Sequence, residues 1–85
     1  MELIERLLTA AECMAAMGIG SSEFYERIAA GRITTGVKIG IRQRRWPASE
    51  VKRLVELTIA EADESRVKDE VAKMIAARAM LLEAA

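Results

Sequence analysis

Three features predict a mainly α-helical domain that carries a small β-hairpin. Two short apolar-striped stretches follow one another across Gly18-Ile19-Gly20, a basic apolar–polar alternation comes next, and an uninterrupted helical pattern follows Pro47. A length of 85 residues allows one small domain, with at most one appended helix. The hydrophobic fraction of 52% contains many Ala, so the larger side chains can hold together a module of about 50 to 70 residues. No staple is expected. Cys13 has no second Cys to pair with, and without His a tetrahedral zinc site cannot be assembled. No apolar run approaches the ~18 to 20 residues of a membrane span, and MELIERLL lacks the basic start of a signal peptide. The expectation is a cytoplasmic protein without a membrane partner or a cofactor.

The formal net charge is zero, from 13 Lys and Arg against 13 Asp and Glu. That sum hides two unlike halves. Arg27, Arg32, Lys38, Arg42, Arg44, Arg45, Lys52 and Arg53 face a single acid, Glu50, whereas the stretch from Leu54 onward is acidic. Such a basic segment is a phosphate-seeking surface whatever the whole-chain sum.

Residues 3–8 (LIERLL) read as a short lead-in strand or turn against the core. Thr9-Ala10-Ala11-Glu12 is a capping box, and a helix follows through Met17 with Ala10, Cys13, Met14 and Met17 at buried spacing. Gly18-Ile19-Gly20 stops it, with Ile19 as an apolar plug between two glycines. A second helix starts at Gly20 or Ser21 and runs to about Ala30, with Phe24 and Ile28 inward and Ser22, Tyr25, Glu26 and Ala29 outward. Gly31 sits where a terminating glycine belongs. Two short helices joined this way form a helix-turn-helix candidate.

Val37-Lys38-Ile39 and Arg44-Arg45-Trp46 read as paired strands around the loop Gly40-Ile41-Arg42-Gln43. Alternation turns Ile39 and Trp46 inward and Lys38 and Arg45 outward. Trp46 is expected to hold the hairpin to a third helix, which begins near Ala48 and buries Val51, Leu54, Val55, Thr58, Ile59 and Ala62. A basic hairpin after a helix-turn-helix is a wing, so the predicted class is a winged helix-turn-helix plus a C-terminal helix. Its second helix would enter the major groove of DNA, with the wing on the minor groove or phosphates.

The runs LLTAAE, GIGSSEFYERIAAGRI and VKIGIRQRRWPASEV resemble the AlpA-type phage regulators and the excisionases, both MerR-like winged helix-turn-helix proteins. The likeness covers roughly Arg6 to Leu57, and VKIG followed by RRWPASEV is its most specific part. The resemblance implies sequence-specific binding of double-stranded DNA for a mobile element, as a transcriptional regulator or as an excisionase working with an integrase. It implies no catalysis. Where the family usually carries Ser, then Arg, with a further Arg after the helix Tyr, this chain has Gly20, Ser21 and Glu26. Affinity is therefore expected mainly from the wing. The candidate DNA-binding residues are Ser21, Ser22, Glu23, Tyr25, Arg32, Lys38, Arg42, Gln43, Arg44 and Arg45. Glu23 can accept from cytosine N4, but a carboxylate repels phosphate, so cooperative binding or self-association on DNA is expected as well.

No Gly or Pro follows Pro47, yet the apolar stripe changes direction. Val55, Thr58 and Ala62 fall within about 40° of Val51 on a helical wheel, whereas Val67, Val71, Met74 and Leu81 fall on the opposite side. Either the chain breaks around Asp63-Glu64-Ser65, with Ser65 capping a new helix, or one long helix offers its second half to a partner. The boundaries read are a domain over 1–62 and an acidic, amphipathic segment over 63–85. Val67, Val71, Met74, Ile75 and Leu82 are its candidate oligomerisation stripe, interrupted by Arg78. A helix folded back on its own domain and a frayed tail are the other readings of this segment.

Cys13 reads as a small buried hydrophobe. The acidic pairs Asp63-Glu64 and Asp69-Glu70 diverge around the helix and read as a solvated face. With no His, no Cys pair and no glycine-rich phosphate loop, an enzyme has little to work with. The alternative to a DNA-binding protein is an interaction adaptor that uses the same scaffold and its C-terminal helix.

Overall fold

The computed structural model describes residues 4–84. Its elements are β1 (Leu7–Leu8), α1 (Ala10–Met17), α2 (Ser21–Ala29), β2 (Val37–Lys38), β3 (Arg44–Pro47), α3 (Ala48–Ile59) and α4 (Glu64–Ala84). The fold is mainly helical, four helices around a small three-stranded antiparallel sheet of order β1-β3-β2. The expected lead-in strand is the pair Leu7–Leu8, and its first residue, Leu3, lies outside the described residues.

Local sequence sets the helix ends. The capping box forms as spaced: the Glu12 amide donates to Thr9 Oγ1 at 3.1 Å, and the Thr9 amide donates to Glu12 Oε1 at 2.9 Å. Gly18, at φ 69°, closes α1 with amide bonds from Gly18 to Ala15 and from Ile19 to Met14. Gly31, at φ 78°, closes α2 the same way. Both positions need the left-handed conformation that glycine adopts without cost. The start of α3 has no side-chain cap of its own. Glu5 supplies one from across the sheet, accepting from the Ser49 amide at 2.7 Å and from the Ser49 hydroxyl at 2.8 Å.

Residues directly opposite in an antiparallel pair share a face. Leu8 opposes Trp46 and Lys38 opposes Arg44, while Leu7 opposes Pro47 and Val37 opposes Arg45. Lys38 and Arg45 therefore lie on opposite faces, not together as their alternation predicts. Ile39 falls just past β2 and is exposed rather than inward. Trp46 decides this register. Its indole packs edge-on against Phe24 at 5.2 Å, donates from Nε1 to the Thr34 carbonyl at 2.8 Å, and leaves room across the ladder only for Gly36. A Cβ on Gly36 would lie 2.8 Å from Arg44 Cβ and 2.9 Å from Trp46 Cζ2. Gly36→Ala is expected to cost about 1–3 kcal/mol, as overpacked cores do, and a thermal melt measures it. An unchanged Tm would mean that β2 does not pair in this register.

The core joins Cys13, Phe24, Ile33, Trp46, Val51, Leu54, Leu57 and Val71. Burial pushes the Cys13 thiol up to about 11, as fits a small buried hydrophobe. The inward stripe of α3 is Glu50, Val51, Leu54 and Leu57. Thr58 is exposed and Ile59 is 77% exposed, so the expected stripe was rotated toward the wrong side. The correction is one of phase: the chain turns at Glu61, so only the part of α3 facing the sheet, α1 and α4 is covered.

That turn is a helix ending without glycine. The Glu61 amide bonds to the Thr58 carbonyl, the Ala62 amide bonds to the Leu57 carbonyl, and Glu61 itself sits at φ 54°. Asp63 then caps α4, accepting from the Arg66 amide at 2.8 Å through Oδ1. The break comes where the stripe changes direction, but the cap is Asp63, and Ser65 is already inside the first turn. The segment after the break folds back on its own domain. Val71 is 3% exposed in the common core, and Val67 and Met74 pack against it. Three residues of the expected oligomerisation stripe are thus spent inside the chain, leaving Ile75 and Leu82 exposed. Arg78, read as an interruption, is the clamp. It bonds Glu50 through Nε at 2.9 Å and Nη2 at 2.6 Å, and the Thr35 carbonyl at 2.8 Å.

Two carboxylates, the exposed Glu12 and the half-buried Glu70, tie pH to this fold. The Arg53 guanidinium hydrogen-bonds Glu70 and holds its carboxyl below the usual range, while the Thr9 amide does the same for Glu12. Both folded values lie below the unfolded ones, so their contribution is complete above the unfolded value of about 4.3 and is lost as pH falls through the folded values. Acid titration of the circular dichroism signal is expected to show stability declining below about pH 5. Glu12→Gln with Glu70→Gln is expected to flatten that acid limb, and an unaltered limb would refute the assignment.

Candidate functional site

The β2–β3 hairpin and the outer side of α2 enclose an open cleft of about 560 Å³. Tyr25 and Ile28 line it from α2, Arg42, Gln43, Arg44 and Arg45 line it from the hairpin, and Gly36 and Trp46 contribute from the sheet. The cleft follows from the packing just described. Phe24 points into the core, so its neighbour Tyr25 must point out, and it is 54% exposed with its ring edge-on to Phe24 at 5.1 Å. Trp46 anchors β3 beneath the same Phe24, which holds the hairpin at a set position beside α2.

Pairing sets the hairpin arginines apart from the chain's other arginines, although Lys52 and Lys73 also meet no carboxylate among the described residues. Arg6, Arg27, Arg32, Arg53, Arg66 and Arg78 each meet a carboxylate at 2.6 to 3.8 Å. Among the described residues, Arg42, Arg44 and Arg45 meet none, and neither does Lys38 on the same hairpin. Arg44 donates to the Gly36 carbonyl at 3.1 Å and Arg45 to the Arg44 carbonyl at 2.9 Å, contacts that orient the side chains but leave their charge uncompensated. The hairpin loop is held by the Ile39 amide on the Gln43 carbonyl at 3.1 Å. Four like charges on one short hairpin repel each other, and a polyanion laid along it relieves that repulsion.

Not every expected residue joins this cleft. Ser21, Ser22 and Glu23 are exposed at the start of α2, beside the cleft rather than lining it. Glu23 is bonded by Arg27 at 2.6 Å within its own helix, so its charge is neutralised locally. Glu26 is exposed and has no cation within ion-pair distance among the described residues. Arg32 lies elsewhere. It follows the α2 terminus, faces Glu64 of α4 at 3.8 Å, and lines a separate cavity with Arg27 and Met17. Its place is fixed by the Gly31 ending, which swings the following residue toward α4. Sequence reasoning missed Gly36 and Ile28 as parts of the cleft. The sole available signal for Gly36 was a glycine immediately before an alternating strand.

Among the described residues no helix is long and apolar enough to cross a membrane. Compared with models of known families, with curated proteins and with solved structures, the chain matches none.

Proposed function

We propose that this chain is a sequence-specific double-stranded DNA-binding protein of the winged helix-turn-helix type, with α2 as the major-groove helix and the β2–β3 hairpin as the wing. The observation that carries the reading is the set of hairpin cations without carboxylate partners among the described residues, placed beside the exposed Tyr25. Cations left uncompensated while the chain's other arginines are paired form a binding surface for an external polyanion. Tyr25, Ser21 and Ser22 are exposed on α2 and are the groups available to base edges or phosphates. Glu23, tied to Arg27, adds little net repulsion. The resemblance to AlpA-type regulators and excisionases extends the reading to a mobile element's regulator or recombination directionality factor, partnered by DNA and, for an excisionase, by an integrase.

Salt dependence tests the proposal. Each neutralised phosphate contributes a slope of about −0.9 in log affinity against log salt for duplex DNA, so four engaged cations predict a slope of about −3 to −4. Fluorescence anisotropy on a labelled duplex over a salt series reads it directly, and affinity that is absent or insensitive to salt refutes the proposal. A second reading has its own observation. Met80, Leu81 and Leu82 at the end of α4 are 65%, 70% and 83% exposed, an apolar end suited to protein contacts in an adaptor or to self-association. Light scattering of the free chain separates it from DNA binding.

A further inference from the structure

The tip of the basic hairpin carries an apolar side chain that the fold does not use. Ile41 is 91% exposed, although the loop around it is closed by the bond from the Ile39 amide to the Gln43 carbonyl. Gly40 precedes it with no atom near its Cβ position, and Arg42 follows it. Ile39, also exposed, continues the apolar strip along the same hairpin. A β-branched residue has no intrinsic reason to stand at a solvent-exposed turn, where Asn, Asp or Gly is the usual choice. Here it stands midway along the loop of a hairpin whose other exposed side chains include Lys38, Arg42, Gln43 and Arg44.

We infer that Ile41 is a wedge that enters the minor groove of duplex DNA and partly unstacks one base step, kinking the duplex at the wing. The inference rests on the DNA-binding reading above and adds to it a mechanical role for one residue. Charge complementarity names the occupant. The uncompensated hairpin cations bring the tip against a polyanionic surface, and of the surfaces duplex DNA offers, its stacked bases are the apolar one. The minor groove is about 6 Å wide, which admits a loop tip one residue across but not the two-stranded body behind it. Arg42, next in sequence, would lie along the groove wall or its phosphates and hold the wedge in place. Flexible pyrimidine–purine steps cost least to open, so the wedge would confer preference for such steps without a hydrogen bond to any base.

The test uses the full chain and a duplex of alternating thymine and adenine in which one adenine is replaced by 2-aminopurine, whose emission rises on unstacking. The unsubstituted chain is expected to raise that emission, and Ile41→Ser to abolish the rise while weakening binding by about fivefold. The salt slope should not change, because no charge is lost. Ile41→Leu is expected to restore the emission, since an apolar wedge of similar volume remains. Unchanged emission in Ile41→Ser, with salt-dependent binding intact, overturns the wedge and leaves the DNA-binding reading standing. If Ile41→Ser alters self-association and not emission, Ile41 contacts a second copy of the chain and the wedge is again overturned. Absence of salt-dependent binding by the unsubstituted chain overturns both.

Discussion

Arg42→Ala combined with Arg45→Ala is expected to lower affinity for duplex DNA by about tenfold or more at moderate salt, and to reduce the salt slope by about two units, from ~0.9 per phosphate contact. The two arginines flank Arg44 and Gln43 on the lip of the cleft, and neither has a carboxylate partner within the described residues. The fold should tolerate their loss. Arg42 is exposed, and the side-chain hydrogen bond of Arg45 goes to the carbonyl of its sequence neighbour. Thermal melting of the double variant should therefore match that of the unsubstituted chain. A gel shift or anisotropy titration that is unchanged in the presence of an intact fold would refute a wing-led mode of binding. Arg32→Ala is the control: Arg32 faces Glu64 away from the cleft, so the salt slope should stay as it was.

The second large effect is on stability. Arg78→Ala is expected to destabilise the fold by about 3 kcal/mol, because removing one member of a buried ion pair strands the other. Glu50 is 7% exposed, and both of its carboxylate oxygens are bonded by Arg78. The same guanidinium reaches the Thr35 carbonyl just before β2, so α4, α3 and the base of the hairpin meet at one side chain. For a domain of this size such a loss is a large part of the total. Glu50→Leu paired with Arg78→Leu should lose less than either single substitution, since an apolar pair of similar volume leaves no unpaired charge. Chemical denaturation of the four proteins measures the cycle, and additive losses would mean that the pair is not coupled.

The same clamp changes what removal of the C-terminal segment would do. Cutting after Ala62 takes away Val71 from the core and Arg78 from Glu50. Loss of cooperative binding in such a truncation would report a weakened fold as readily as a lost contact between copies. Substitutions confined to the exposed Leu81 and Leu82 probe association without touching the core.

Much of the fold is written locally. Thr9 and Glu12 are three apart and form the capping box their types predict, and Gly18 and Gly31 end α1 and α2 because only a residue free to take positive φ ends a helix cheaply. The basic alternation before Pro47 gives a hairpin, and the outward phase of Tyr25 beside Phe24 follows from helical geometry. Where the reading failed, a distant partner made the decision. Lys38 and Arg45 part company because the space opposite Trp46 admits only Gly36, and strand register cannot be read from either strand alone. Leu57 rather than Ile59 is buried because α4 returns across that side of α3.

The kinds of element, the ends of α1 and α2 and the concentration of positive charge between Arg27 and Arg53 are legible in the order of residues, since these depend on neighbours only a few positions apart. Which of those cations meet acids on other elements was settled by the tertiary fold. Arg32 and Arg53 find Glu64 and Glu70 on α4, while Lys38, Arg42, Arg44 and Arg45 stay on a hairpin that no acid reaches among the described residues. It also decided the fate of α4. Its stripe suits a second copy or its own domain equally well, and the choice falls to the domain because Val71 completes a core already assembled and Arg78 finds a buried Glu50. Both contacts join residues far apart in sequence, and only the folded chain brings them within reach.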